Sequence, residues 1–174
     1  MKLPSPSRLR IVLYPDPVLK KRAVDVGKFN AEIAGLAKRM LELMREAKGV
    51  GLAAPQVGVG LRLFVCNPTG EPGDDLICVN PRFIERSGGE EKEEGCLSIP
   101  EVTVTMRRAT HVVMEAFDVD GKSFQVTGTE LRARIWQHES DHLDGVLLLN
   151  RLGRRERKQA LRELRQEAME RGPV

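Results

Sequence analysis

The segment Gln137-His138-Glu139-Ser140-Asp141-His142 constrains this chain more than any other stretch. It has the form H-E-x-x-H and uses two of the three histidines present, the other being His111. Residues four apart lie on one face of an α-helix, so the segment must be helical if His138 and His142 are to turn both imidazoles toward one metal ion. Glu139 then stands beside them, placed to take a proton from an activated water. The fold must therefore present one face of this helix to an open site. The reaction class proposed is metal-assisted hydrolysis, with the third ligand and the substrate left open.

Local signals supply the helix. Thr127-Gly128-Thr129-Glu130 has the spacing of a capping box, which predicts a helix from there to about Leu143, ended by Asp144-Gly145. A second helix is predicted over 31–47, where Asn30 is a candidate N-cap and Ile33, Leu36, Ala37, Met40, Leu43, Met44 and Ala47 follow the helical period. Gly49 is its natural stop. A last helix is predicted over 153–171, with a narrow stripe of Ala160, Leu161, Leu164 and Ala168. Leu61–Cys66, Leu76–Val79, Val102–Met106 and His111–Phe117 read as strands, and Asp120-Gly121 as the hairpin turn leading to Ser123–Val126. The first thirty residues are punctuated by proline and should wrap the surface, while Gly49–Gly58 is too rich in Gly and Pro for a regular element. The order implies an α+β fold with mostly antiparallel short strands around a central H-E-x-x-H helix, plus an N-terminal and a C-terminal helix.

A chain of 174 residues is long enough to bury a substantial core as a single domain spanning 1–174, without staples. No apolar run reaches membrane-spanning length, and the N-terminus lacks both the apolar core of a signal peptide and the Arg- and Ser-rich character of an import presequence. Three cysteines, an odd number, argue against a disulfide framework and for a reducing cytoplasm. The net charge of +3 is small, but residues 151–171 hold eight Arg/Lys against four Glu. The positive surplus is therefore concentrated in the C-terminal helix.

Hydrolytic metals need three protein ligands and one open position. No histidine follows His142, so a downstream candidate is Glu163, which an exposed ion pair with Arg162 or Arg165 explains more simply. The upstream candidate is Cys96, in Glu93-Glu94-Gly95-Cys96-Leu97-Ser98. Cys66 and Cys78 fall at apolar strand positions, whereas Cys96 follows a glycine amid polar residues just before a strand. From spacing alone both candidates stay open, and with Glu163 the chain would be an H-E-x-x-H metallopeptidase.

Three ordered segments read G-V-G-L-A-A-P-Q-V-G (Gly49 to Gly58), E-G-C-L-S (Glu94 to Ser98) and Q-H-E-S-D-H (Gln137 to His142). Together they resemble the signature motifs of the peptide deformylases, and Tyr14-Pro15-Asp16-Pro17-Val18-Leu19 is similar to that family's opening. The resemblance implies that Cys96, His138 and His142 hold one divalent metal, characteristically Fe(II), with Zn, Ni or Co as alternatives. It implies hydrolysis of the N-formyl group from the initiator methionine of nascent peptides, with Glu139 moving the proton and formate released. Gln56 and the Leu97 backbone N–H would be the oxyanion donors. A glutamate at position 56 could not donate, so Gln56→Glu should cost more than its similar size suggests.

Formyl-methionine also needs an apolar pocket and a docking edge. Leu131 and Ile135 share the helix face of His138 and His142 by spacing, with Val50 expected opposite. In the family, backbone groups at positions matching Val50, Gly51 and Gly95 hold the substrate like an added strand. Arg134 interrupts the apolar face and is expected either to narrow the pocket or to reach toward the peptide. Gly49-Val50-Gly51-Leu52-Ala53-Ala54 formally matches a dinucleotide fingerprint, but it follows a predicted helix and Pro55 blocks the helix it should open, so no dinucleotide is expected. The basic C-terminal helix is expected to be a solvated helix or, as the resemblance suggests, a ribosome-docking surface. No membrane partner is expected.

Overall fold

Every residue of Leu63-Phe64-Val65-Cys66 is buried, which is why this run shows no polar alternation. The structure is a computed structural model and describes residues 3–171. Its strands are β1 (Gly51–Ala53), β2 (Leu63–Cys66), β3 (Leu76–Ser87), β4 (Glu90–Cys96), β5 (Ile99–Arg108), β6 (His111–Phe117) and β7 (Ser123–Thr129). Its helices are α1 (Ala31–Glu46), α2 (Glu130–Leu143), α3 (Leu148–Arg151) and α4 (Arg154–Arg171). A five-stranded antiparallel sheet has the order β1-β2-β3-β6-β7. Successive strand residues face opposite sides, so β2 serves two cores at once. Leu63 and Val65 pack with α1, whereas Phe64 and Cys66 pack with Ala133, Ile135 and Trp136 of α2. The two helices thus cover opposite faces of the sheet. Each large side chain so buried contributes roughly 1.5–3 kcal/mol.

Strands β4 and β5 form a separate two-stranded sheet. Along β5, Val102, Val104, Met106 and Arg108 are buried while Thr103, Thr105 and Arg107 are exposed. That inner face packs against Leu147, Leu148, Leu149 and Ala160, which brings α3 and α4 over the hairpin. Strand β4 escapes the sequence reading because Glu90-Glu91-Lys92-Glu93-Glu94 carries no apolar alternation. Its ladder supplies what its composition does not: Glu90 and Glu91 lie opposite Arg108 and Arg107.

Asn30 caps α1 as expected, its side chain accepting from the N–H groups of Glu32 and Ile33. The capping box expected at Thr127–Glu130 does not form. Strand β7 runs on to Thr129, paired with His111, and α2 starts at Glu130 with no side-chain cap. The ladder already engages this backbone, and the Trp136 ring occupies the space over Gly128, where a Cβ would stand 2.5 Å from a ring carbon. Gly49 helps to close α1 as expected, though it is not the left-handed residue. The left-handed residue is Lys48 (φ 55), and the Gly49 N–H bonds the Met44 carbonyl at 2.8 Å. Gly49 is needed for close approach as well, since a Cβ there would stand 2.7 Å from Leu97.

Other bounds also shift. Gly49–Gly58, expected to be irregular, contains β1 and a 3-10 turn, Ala54–Val57. The strand expected to end at Val79 continues to Ser87 through a register shift at Asn80 and Pro81, where proline cannot donate to the ladder. Val102–Met106 lengthens to the whole of β5, and Leu61 makes only an isolated bridge to Val24. The N-terminal segment wraps as expected while burying Leu9, Leu19 and Val26. It also staples the site: Val12 N–H donates to the Gln56 carbonyl at 2.7 Å and Tyr14 N–H to the Ser98 carbonyl at 2.8 Å.

Candidate metal centre

The i, i+4 spacing on α2 puts His138 and His142 side by side, with ring centroids 5.0 Å apart and Nε2 atoms 3.2 Å apart. The Leu97-Ser98 turn between β4 and β5 brings Cys96 to the same point, its Sγ 3.3 Å from His142 Nε2. These three residues offer ligand atoms that all lie within 4.8 Å of one another. Two imidazole nitrogens and a sulfur converging in this way fit a late divalent first-row metal better than Mg²⁺ or Ca²⁺, which take oxygen donors.

The electrostatics agree with that donor set. His138 Nδ1 lies 3.0 Å from Glu94 Oε2, which leaves Nε2 facing the other two donors. Burial opposes a charge on His138, but its hydrogen bonds to Cys96 and Glu94 outweigh burial and push its pKa up to about 10. Burial, then repulsion from His138, pulls His142 well below the usual histidine range. A divalent ion bound here would take the place of the proton that these surroundings favour on His138, since a ligating imidazole is neutral.

Glu94 is itself held by a buried network. Burial alone would raise its pKa, but His138 and Arg108 outweigh it and keep the carboxyl well below the usual range. Its Oε1 accepts from Arg108 Nε (2.9 Å) and Arg134 Nη1 (2.7 Å), and its Oε2 from Arg108 Nη2 (2.9 Å). Arg108 also reaches Asp141 at 2.6 Å, and Arg151 grips the same carboxylate. Arg134 lines the cavity, and Glu94 and two backbone carbonyls of the β4–β5 hairpin satisfy its guanidinium.

Glu139 is 4% exposed, and its Oε2 has no hydrogen-bond partner among the described residues. Burial raises its pKa to about 7, against the opposing pull of His138. Gly51 makes room for it, since a Cβ at 51 would stand 2.9 Å from Glu139 Cδ. Gln56 is fixed by its own oxygen, which accepts from Ala53 N–H at 2.8 Å. The amide nitrogen consequently points at Ser98 Oγ (3.2 Å) and Cys96 Sγ (3.6 Å).

A cavity of about 460 Å³ opens over this centre. Cys96, His138 and Glu139 line it, together with Gly51, Gln56, Gly95, Leu97 and Arg134. Ile135 is buried in its wall, and Leu131 and Val50 are exposed. His142 does not line the cavity; it is 2% exposed and bonded to Cys96 and His138. The alternative ligand Glu163 is exposed on α4, accepts from Gln159 and stands outside the donor group. Cys66 and Cys78 are buried in the sheet, and burial pushes the Cys66 thiol up to about 12.

Sequence reasoning assigned no role to Glu94, Arg108 or Ser98. A signal for Arg108 does exist in strand parity: it shares the inward face with Val102, Val104 and Met106, and a buried arginine demands a buried carboxylate. Which of the neighbouring glutamates answers it cannot be read from composition.

A Cys-His-His donor group beside a buried carboxylate, under a cavity with an apolar rim, defines a metal-dependent hydrolase. The family model "Polypeptide deformylase" matches residues 8–158. A peptide deformylase of Acidobacterium capsulatum is 45% identical over 157 residues, covering 89% of this chain and 92% of that protein. The fold is similar to that of a peptide deformylase from Legionella pneumophila, with a TM-score of 0.90 at 39% identity over 95% of this chain and 99% of that one. A peptide deformylase from Plasmodium falciparum gives a TM-score of 0.85 at 31% identity, covering 95% and 100%. The chain belongs to the polypeptide deformylase family, metallohydrolases that remove the N-formyl group from nascent peptides.

Proposed function

We propose that Cys96, His138 and His142 hold one divalent metal, Fe(II) in its physiological form with Zn, Ni or Co as substitutes, and that Glu139 moves the proton. The convergence of the three donors carries this reading. When bound, such an ion supplies Lewis acidity that polarises the formyl oxygen and eases loss of a proton from water. Glu139 accepts that proton at its unpartnered Oε2 and returns it to the departing amine. With a pKa of about 7, the carboxylate can both take and give a proton near neutrality. The Gln56 amide and the Leu97 N–H donate to the developing oxyanion, and Gln56 is already oriented for this by Ala53.

The methionine side chain lies against Leu131 and Ile135 with Val50 opposite. β1 is an edge strand, and Gly95 falls at the register shift between Glu94 and Cys96, so both offer backbone groups to an extended peptide at Val50, Gly51 and Gly95. The unit that acts is one catalytic domain over residues 1–174, working in the cytoplasm, where its three free thiols stay reduced. Metal content after single substitutions tests the ligand set: Cys96→Ala is expected to lose the metal, whereas Glu163→Ala keeps it. The opposite result would instead favour the metallopeptidase arrangement.

The basic helix α4 is assigned to the ribosome. Arg154, Arg155, Arg157, Lys158, Arg162 and Arg165 are all exposed on it, while Ala160 anchors it to the hairpin. Removing residues 153–174 is expected to weaken salt-sensitive ribosome binding and to leave hydrolysis of a short formyl-Met peptide largely intact. Unchanged ribosome affinity would remove this assignment.

A further inference from the structure

Arg134 lines the cavity at the position helical spacing assigns to it, and its guanidinium is held there by the β4–β5 hairpin. Nη1 donates to Glu94 Oε1 at 2.7 Å and to the Met106 carbonyl at 3.0 Å, and Nη2 donates to the Glu90 carbonyl at 2.7 Å. Glu90 and Met106 belong to the two different strands of the β4–β5 hairpin. One side chain from α2 therefore grips both strands and the carboxylate between them. A planar guanidinium fork can hold several acceptors in fixed directions, whereas an ammonium is a single point charge.

The grip matters because of where the three ligands ride. His138 and His142 are carried by α2, and Cys96 by the hairpin, which shares no ladder with the main sheet. Side chains must therefore help set the hairpin's position on α2. They form one helical stripe, Arg134, Gln137, His138 and Asp141. Gln137 exchanges hydrogen bonds with the backbone of Ala109 (3.1 and 2.9 Å), and Asp141 takes Arg108. Arg134 and His138 are the members of the stripe that reach β4, the strand ending in Cys96; both meet Glu94, and Arg134 also holds the Glu90 carbonyl.

We propose that Arg134 is a positioning residue for the metal centre: it holds Cys96 in register with His138 and His142. The inference rests on those three residues being the ligands. Partners that orient ligands from behind are typically worth roughly 10–100-fold in metal affinity.

The test uses Co(II)-loaded full-length protein, with release to excess chelator followed by loss of the thiolate-to-cobalt absorption, and with kcat and KM measured in parallel. Arg134→Met is expected to release cobalt about tenfold faster or more, and Arg134→Lys faster by a smaller factor. In both, kcat falls while KM stays within about twofold of the parent. Arg134→Lys carries the test if Arg134→Met does not fold. Leu36→Ala, in the α1 core remote from the stripe, is expected to lower Tm without changing release. Release at the parent rate in the Arg134 variants overturns the proposal, as does a rise in KM with release unchanged. Equally fast release from Leu36→Ala at the same loss of Tm also overturns it. A parent that binds no stoichiometric cobalt would overturn the ligand assignment itself, a result distinct from normal binding with unchanged release.

Discussion

At the scale of single residues, the site depends on what is left out as much as on what is present. Gly51 and Gly49 lack the Cβ atoms that would collide with Glu139 and Leu97, so the Glu139 carboxylate, edge strand and hairpin turn come within van der Waals reach. Burial then sets the chemistry of Glu139 by holding its proton up to about 7. Because the raised pKa keeps the group protonated below that value, the base form dominates only above it. The kcat/KM profile should therefore climb with pH through a limb near 7, and Glu139→Gln should abolish that limb together with roughly 10²–10⁴-fold of activity. A limb that survives in Glu139→Gln would assign the titration to another group. The H-E-x-x-H segment was legible because its geometry is local: i, i+4 on a helix is fixed before any tertiary contact forms. The partners of Arg134 are not legible in the sequence because its acceptors, Glu94 and the carbonyls of Glu90 and Met106, lie at least 28 residues away.

At the scale of elements, local patterns read well wherever one face meets a core. The α1 periodicity, the Asn30 cap and the Asp120-Gly121 turn all appear as expected, with Gly121 at φ 83. Reading failed where the partner decides. Strand β4 has almost no apolar residue and exists through its ladder with β5, a non-local pairing that composition does not announce. The capping-box spacing at Thr127–Glu130 was a true local signal overridden by pairing with β6. Gly128 in that strand lies under Trp136, so Gly128→Ala should overpack the α2 interface. A loss of about 1–3 kcal/mol is expected. A thermal melt checks it, at roughly 2–4 °C per kcal/mol for a chain of this size. An unchanged Tm would show that the Trp136 ring moves aside freely.

At the scale of the whole molecule, two sheets meet at one helix. The five-stranded sheet packs on α2 through Ala133 and Trp136, and the hairpin is tied to it by the buried Glu94-Arg108-Asp141 network. The N-terminal segment staples the Gln56 and Ser98 backbones across the remaining side. The α+β class and the ordered motifs were visible in the sequence, because motif order follows the chain. The separation into two sheets was not, since nothing local states that β4–β5 pairs only with itself. The most direct measurement is anaerobic formate release from formyl-Met-Ala-Ser by the metal-loaded protein, beside Glu139→Ala with the same metal content. The parent should release formate, and Glu139→Ala should be slower by roughly 10²–10⁴-fold. No formate from the loaded parent, or equal release by Glu139→Ala, would contradict the account.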